Sequence, residues 1–277
     1  MIYEGLNLDE ERALYGISDA TVRACNFRGA ADGESALKET KGLRIIDCGF
    51  DLRYPMWHMR ASSVTDCNLS ETCRAPLWYC DKIDMTDTVI DGVKALRECR
   101  QVSMTDCVAR STEFGWFCED ISLTGCVVKS EYPFLRTKGL HLNDVRLSGK
   151  YSFQYVENAT VENSVLDTKD AFWHSKNVTV TDSVVKGEYL GWYSEGLTLI
   201  RCKIEGTQPL CYCKGLTLID CETSGCDLAF ERSEVKASVT GAIESVKNPI
   251  KGHVLADSIG QIIFDIPSDC TVTERNK

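Results

Sequence analysis

The sequence predicts an all-β fold, a right-handed single-stranded parallel β-helix of about 12 coils, on three observations. A short segment similar to V-T-D-C recurs at a nearly constant spacing of 19 residues. Apolar and polar residues alternate with period two inside each repeat, as in half-buried strands. Only residues 8–15 carry an apolar pattern of helical period, and they predict a short N-terminal helical cap.

The repeat is the primary signal, because a fixed period of this kind is typical of solenoids. Segments from IIDC to LIDC end 19 residues apart, except for one step of 21 residues between Cys67 and Thr88. An earlier copy ends at Cys25. The last residues of the regular series are Cys48, Cys67, Thr88, Cys107, Cys126, Val145, Ser164, Ser183, Cys202 and Cys221.

Each repeat has the length and pattern of one coil. Around Cys202, the residues Leu197, Leu199 and Ile204 are apolar, and the residues between them are mostly polar. Nineteen extended residues reach about 63 Å at most, enough for a three-sided coil stacked about 4.8 Å from the next. Crossovers between parallel strands are right-handed. A leucine-rich-repeat-like solenoid is the alternative, since L-x-L-x-x-C-x-I fits its core, although its period is about 20 to 29 residues.

The domain prediction follows from the extent of the repeat. We predict a single β-helix domain over residues 1–277, with an N-terminal cap at 1–16 and regular coils at 17–245. Residues 246–277 depart from the repeat and predict an atypical C-terminal coil and cap. Caps are expected because the exposed edge of a solenoid invites association.

Composition narrows the function classes. The chain has 43% hydrophobic and 26% charged residues and a formal net charge of −10, so we expect no nucleic-acid partner. The first residues lack the pattern of a secretory signal, and no window of about 18 apolar residues occurs, so we expect no membrane partner. We interpret the 15 cysteines as reduced thiols in a cytoplasmic protein.

Most cysteines occupy two registers of the repeat. The first contains Cys48 and its equivalents, and the second contains Cys80, Cys99, Cys118 and Cys213. Other repeats hold Ser, Thr or Val there, which predicts confined inward positions where cysteine acts as a small hydrophobe. The four thiols between residues 211 and 226 lack the C-x2-C spacing of zinc knuckles, so we expect no metal and no cofactor.

Aromatic and charged residues share neighbouring registers just before the second cysteine register. All five tryptophans fall in one register, and eight of the ten tyrosines lie close to it. Lys, Arg and Gln occupy the tryptophan register in other repeats, so we expect an outward-facing strip. The candidate ligand-binding residues are Trp57, His58, Trp78, Tyr79, Trp116, Tyr151, Asp170, Trp173, His174, Tyr189, Trp192, Tyr193, Arg53, Arg74, Glu39 and Glu98.

The strip has two interpretations. A surface this rich in rings is typical of binding, and it predicts an extended ligand such as an oligosaccharide. Alternatively, rings repeated at the coil spacing stabilise the solenoid by stacking on one another, without any ligand. A protein-interaction scaffold, including a homo-oligomer formed through the strip, is a further alternative.

The runs DEERALYG, DGESALKE, TKDAFWHSKN and GTQPLCYCK resemble an uncharacterised bacterial family with a domain of unknown function. The whole repeat array resembles the pectin-lyase-like superfamily of right-handed parallel β-helices. This resemblance implies the fold and assigns no chemistry. The N-T-D, D-D, G-H-G and R-I-K segments of polygalacturonase-like members are absent, and the aspartates that recur once per repeat predict coil corners rather than a calcium cluster.

Catalysis is the remaining alternative, as a carbohydrate-active lyase or hydrolase using the same strip. The catalytic residues stay unknown, because no recognised motif is present. Glu39 and Glu98 would lie three coils, or about 14 Å, apart. That distance exceeds the roughly 5 to 9.5 Å between paired glycosidase carboxylates, so the sequence favours a protein that is not an enzyme.

Overall fold

The computed structural model describes residues 1–29 and 33–275 of the chain. These residues form a right-handed parallel β-solenoid of about 14 turns with a spacing of about 19 residues, which confirms the predicted fold. Contacts divide the chain into unit 1, Met1–His141, and unit 2, Leu142–Lys277. Within the two described ranges, no helix has the length and apolar character that crossing a membrane requires.

Unit 1 contains pairs of strands that repeat along the chain. They are β1 (Ile2–Glu4), β2 (Asn7–Leu8), β3 (Thr21–Arg23), β4 (Asn26–Phe27), β5 (Arg44–Ile46), β6 (Gly49–Phe50), β7 (Arg60–Thr65), β8 (Asn68–Leu69), β9 (Asp81–Thr86), β10 (Val89–Ile90), β11 (Arg100–Thr105), β12 (Val108–Arg110), β13 (Glu119–Thr124) and β14 (Val127–Glu131). The next strand, β15 (Lys138–Asn143), begins in unit 1 and ends in unit 2.

Unit 2 continues the same pattern until its last strands. They are β16 (Arg146–Lys150), β17 (Glu157–Glu162), β18 (Val165–Lys169), β19 (Lys176–Thr181), β20 (Val184–Lys186), β21 (Glu195–Ile200), β22 (Lys203–Glu205), β23 (Leu216–Ser224), β24 (Glu234–Thr240), β25 (Ala242–Lys247), β26 (Lys251–Ala256), β27 (Ser258–Ile263) and β28 (Asp269–Glu274).

Each regular coil has two strand sides and one side made of turns. Strand β9 pairs in parallel with β11, and Asp81 lies opposite Arg100, one repeat later. The short strand β10 pairs with β12 in the same way. The third side, which we call the turn side, alternates the sign of φ, and Tyr54, Met56 and His58 all have φ near 60°. The predicted three-sided coil had extended residues on every side, so the turn side differs from the prediction.

A left-handed residue makes the corner between the two strand sides. Asp66, Asp87 and Asp106 have φ values of 53°, 49° and 53°. Gly125 occupies the same register with φ of 64°. Aspartate, asparagine and glycine adopt this conformation at least cost, which explains the D of the recurring V-T-D-C segment. The predicted corner role of these aspartates is therefore confirmed.

The inward registers do more than exclude water. The backbone N–H of Cys48 donates to Sγ of Cys67 at 3.4 Å, and the N–H of Ser164 donates to Oγ of Ser183 at 3.0 Å. The accepting side chains donate in turn to a carbonyl two residues earlier, as Cys67 does to Thr65 O at 3.2 Å. In most coils this register therefore holds a small side chain that both accepts and donates a hydrogen bond, a role that the interpretation of cysteine as a small hydrophobe missed.

The ends of the chain form coils, which raises the number of turns above the predicted 12. Strands β1 and β2 pair with β3 and β4. The predicted helix at residues 8–15 is wrong, because Arg12 and Leu14 have φ of 57° and 54°, incompatible with a right-handed helix. The leucine-rich-repeat alternative is wrong as well, since turns complete every regular coil.

Candidate functional site

The turn side carries the predicted strip as two adjacent rows. In unit 1 the inner row contains Lys38, Trp57, Trp78, Arg97 and Trp116, and the outer row contains the residue that follows each of them. The members of that outer row are Glu39, His58, Tyr79, Glu98 and Phe117. In unit 2 the inner row contains Trp173 and Trp192. The outer row there contains Tyr155, His174, Tyr193 and Tyr212.

Local backbone geometry positions the outer row. His58, Tyr79 and Phe117 have φ of 57°, 60° and 57°, a conformation that costs a residue with a Cβ about 1 to 2 kcal/mol. Backbone hydrogen bonds between coils offset this cost, since the N–H of His58 donates to Trp78 O and that of Tyr79 donates to Arg97 O, both at 2.9 Å. The same backbone therefore holds a ring on the surface in successive coils.

The inner row is a closed stack. The rings of Trp57 and Trp78 are 5.0 Å apart and 4° from parallel. The guanidinium of Arg97 lies 4.8 Å from the Trp78 ring centroid and 4.8 Å from that of Trp116. Glu113 fixes this guanidinium through an ion pair of 3.0 Å. The faces of these rings are thus occupied by neighbours, which leaves little of them for a ligand.

The indole N–H groups are also satisfied within the protein. Nε1 of Trp57 donates to Ala75 O at 2.7 Å, and Nε1 of Trp78 donates to Lys94 O at the same distance. In unit 2, Nε1 of Trp173 donates to Tyr189 O at 2.9 Å. The faces and the polar edges of these tryptophans therefore both have partners within the protein.

The outer rows differ between the two units. In unit 2, Tyr155, His174, Tyr193 and Tyr212 form an unbroken stack with centroid distances of 5.0, 5.1 and 4.9 Å. In unit 1, His58 stacks on Tyr79 at 4.9 Å, and the next coil then supplies Glu98 instead of a ring. The aromatic row of unit 1 is therefore interrupted at Glu98.

A groove opens in unit 1 where this row is interrupted. It has a volume of about 710 Å³, and one wall is formed by Tyr79, Glu98 and Phe117. The buried cysteines of the second inward register form its base. The residues of the opposite wall are Arg60, Asp81, Arg100 and Glu119.

A smaller cleft adjoins this groove and brings in two more predicted residues. Glu39 and His58 line it together with Thr40, Lys41 and Arg60, and its volume is about 370 Å³. Arg60 borders both spaces. The structure therefore gathers the predicted residues Glu39, His58, Tyr79 and Glu98 along one face of unit 1.

Other predicted residues lie elsewhere. Arg53 pairs with Glu34 at 3.5 Å, and Arg74 is an exposed residue that accepts the N–H of Tyr54 through its carbonyl. Tyr151 has the ammonium group of Lys150 5.6 Å from its ring centroid. None of these residues lines either of the two spaces in unit 1.

Unit 2 contains a buried carboxyl group among the predicted residues. Asp170 is only 5% exposed, and burial raises the pKa of its carboxyl group above the ordinary value. The ammonium group of Lys169 opposes that shift, but it pairs with Glu188 at 2.7 Å. Tyr189 packs edge-on against Trp192 at 5.4 Å, so it belongs to the packing of the inner row.

Sequence reasoning missed the second wall of the groove. Arg60, Asp81, Arg100 and Glu119 each follow the outer row by two residues and begin the long strands. Nε of Arg100 pairs with Glu119 at 3.3 Å. The sequence does show a charged residue two positions after each outer-row residue. This signal is weak, because charged residues are common at the start of strands.

No metal centre accompanies these residues. Across residues 1–29 and 33–275, no three side chains of His, Cys, Asp or Glu come together in a way that could hold a metal ion. Cys80 and Cys99 at the base of the groove are buried, and burial raises the pKa of Cys99 well above the ordinary value. The groove therefore offers carboxylates, guanidinium groups and rings to a ligand.

The family model described as "Protein of unknown function (DUF3737)" matches residues 1–273. No curated protein matches the sequence. Among solved structures, the chain is similar to the A-module of mannuronan C-5 epimerase AlgE4 from Azotobacter vinelandii, with 8% identity, 98% of this chain and 89% of that chain covered, and a TM-score of 0.31.

Two further solved structures are similar at the same level. The periplasmic alginate epimerase AlgG has 9% identity and a TM-score of 0.28, with 92% of this chain and 74% of that chain covered. PfbA, a surface adhesin of Streptococcus pneumoniae, has 10% identity and a TM-score of 0.26, with 94% and 69% covered. Similarities this low transfer no activity to the chain.

Proposed function

The chain belongs to the DUF3737 family of proteins of unknown function, and we propose that it binds a hydroxyl-rich ligand, such as an oligosaccharide, in the groove of unit 1. One observation carries this proposal. The groove combines a wall of aromatic rings and a carboxylate with a facing wall of guanidinium and carboxylate groups. Ligand sites typically combine an apolar surface with a few polar groups that fix orientation.

The two walls suit the two kinds of surface on a sugar. The C–H groups of a sugar ring pack on aromatic faces, and the hydroxyl groups at its edge donate and accept hydrogen bonds. Glu98 and Asp81 would accept from hydroxyls, and Arg60 and Arg100 would donate to hydroxyl or carboxylate oxygens. Ligand contact is thus concentrated in the groove rather than spread over the tryptophans.

A glycan array followed by calorimetry on the full chain tests this function. We expect a subset of oligosaccharides to bind, and Arg100→Ala to weaken binding at least about tenfold, because a charge-assisted hydrogen bond contributes about 1.5 to 3 kcal/mol. Arg110→Ala is the matched control. Arg110 is the last residue of the short strand β12, it pairs with Asp91, and neither residue lines the groove. The proposal fails when a broad panel of neutral and acidic glycans gives no binding.

Catalysis by the same groove is separated from binding in that experiment. Asp81, Glu98 and Glu119 are the carboxylates that line it. A bound glycan that is recovered intact supports a binding protein. Cleavage of the glycan into shorter products supports the carbohydrate-active alternative, provided that the rate of cleavage is lower in Glu98→Gln.

We propose a second candidate function for unit 2, a contact surface for another copy of the chain. Its four rings from Tyr155 to Tyr212 stack without interruption, yet Tyr155 and Tyr193 are each 43% exposed. Such a row presents a flat aromatic surface, which is typical of interfaces. Sedimentation of the wild-type chain and of Tyr193→Ala tests it, and a monomer at all concentrations contradicts it.

A further inference from the structure

The interruption of the outer row in unit 1 leaves a gap between two rings, Tyr79 and Phe117. Tyr79 stands perpendicular to Trp78, at 86°, and Phe117 stands perpendicular to Trp116, at 90°. Each ring therefore stands perpendicular to the tryptophan that precedes it. Tyr79 and Phe117 lie two coils apart, which is about 9.6 Å along the stack of coils.

The inner row shows what a gap of this height can hold. There the guanidinium of Arg97 fills the space between Trp78 and Trp116, 4.8 Å from each ring centroid. One flat group therefore contacts both rings when two coils separate them. In the outer row the same coil supplies Glu98, whose carboxylate is repelled by the negative ring faces and which is exposed.

This gap is accessible from solvent. Tyr79, Glu98 and Phe117 form a wall of the 710 Å³ groove, and Phe117 is 42% exposed. The opposite face of Tyr79 is covered by His58, so the face toward Glu98 is the one that a ligand can reach. We call the space between the Tyr79 and Phe117 rings, with Glu98 at its side, the ring slot.

We propose that the ring slot binds one pyranose ring with all-equatorial substituents, inserted between Tyr79 and Phe117. The inference rests on the proposed function of the groove and names the sugar class that the groove takes. Such a ring has two apolar C–H faces, one for each aromatic ring, and directs its hydroxyl groups outward in its own plane. Glu98 lies at that edge and accepts hydrogen bonds from them.

The slot discriminates between sugar configurations. An axial hydroxyl group would point at an aromatic face, where it finds no hydrogen-bond partner and loses its water. Insertion also restricts how a longer ligand binds, because Tyr79 and Phe117 would cover both faces of the inserted sugar and leave only its edge for a linkage. An oligosaccharide would therefore enter by a terminal sugar.

The test compares monosaccharide glycosides by saturation-transfer NMR and calorimetry on the full chain. Methyl β-glucopyranoside, which is all-equatorial, should bind at least tenfold more tightly than methyl β-galactopyranoside, which has one axial hydroxyl group. Glu98→Tyr should fill the slot with a ring, abolish glucoside binding and raise the midpoint of thermal unfolding by completing the stack. The rise in midpoint separates a filled slot from an unfolded variant.

Two further variants complete the experiment. Phe117→Ala removes one of the two rings of the slot and should weaken glucoside binding at least tenfold. This variant tests the ring slot even where Glu98→Tyr folds poorly. His174→Glu opens a comparable gap between Tyr155 and Tyr193 in unit 2 and should add a second weak glucoside site. Equal binding of the two glycosides, or unchanged glucoside binding in Glu98→Tyr, contradicts sugar insertion in the ring slot but not ligand binding in the groove. Absence of binding by every glycan and glycoside overturns the proposed function itself.

Discussion

The closed inner row predicts that Trp57 and Trp78 contribute jointly to stability. Their parallel stack at 5.0 Å is a contact that vanishes when either ring is replaced. We therefore consider Trp57→Leu, Trp78→Leu and the double variant, because leucine retains much of the apolar volume. The free energy of unfolding of these three proteins and the wild type defines a double-mutant cycle.

The magnitude follows from the contacts of Trp78. A ring pair contributes about 0.5 to 1.5 kcal/mol beyond its buried area, the cation–π contact with Arg97 about 0.5 to 2, and the hydrogen bond to Lys94 O about 0.5 to 1.5. Trp78→Leu should therefore destabilise the chain by about 1.5 to 5 kcal/mol. The coupling energy between the two tryptophans should be about 0.5 to 1.5 kcal/mol, since only the ring pair is shared.

The assay is urea unfolding followed by far-UV circular dichroism, because the variants remove tryptophan fluorescence. A matched control pair exists in the same row, Trp57 and Trp116, which are three coils or about 14 Å apart with Trp78 and Arg97 between them. These two should be additive within about 0.5 kcal/mol. A coupling for Trp57 and Trp78 no larger than that of the control pair would refute the argument that the row is a stabilising stack.

Other predictions concern the inward registers and the buried carboxyl group. Cys67→Ala should destabilise the chain by about 1 to 3 kcal/mol in urea unfolding, since the N–H of Cys48 loses its acceptor, and Cys67→Ser should not. A thiol reagent such as Ellman's should titrate one group in the native protein, Cys270, and none in Cys270→Ser, because the other 14 thiols are buried; rapid labelling of more would contradict this. The raised pKa of Asp170 means that the folded state binds its proton more tightly than the unfolded state, whose carboxyl pKa is about 3.9. Wild type should therefore gain stability relative to Asp170→Asn as pH falls from 7 towards 4, and equal pH profiles of the two proteins in urea unfolding would contradict it.

The sequence was sufficient for the fold because the repeat constrains every coil in the same way. The corner aspartates and the period-two strands follow from single-residue preferences that recur at fixed positions. The turn side was harder, because its alternating φ has no composition signature: Tyr54, Met56 and His58 share a left-handed backbone but not a residue type. A pattern of apolar and polar residues cannot distinguish such a segment from a strand.

The site was only partly predictable for a related reason. Registers identify which residues form one row, and Glu39, His58, Tyr79 and Glu98 were found in that way. They do not reveal whether ring faces are covered or open, because this depends on the neighbour in the next coil. Asp170 illustrates the limit, since most other coils hold an exposed or half-exposed residue in its register, yet Asp170 itself is buried.

Stacking and ligand binding compete for the same ring faces in a solenoid. Where successive coils supply rings, as from Tyr155 to Tyr212 in unit 2, neighbouring rings cover one another's faces. A coil that supplies a side chain unable to stack restores two facing rings at twice the coil spacing. Arg97 shows that a cation closes such a gap, whereas Glu98 keeps it open. The most informative position in an aromatic row of this fold is therefore the one without a ring. The charge of its side chain decides whether the neighbouring ring faces are covered or remain open to a ligand.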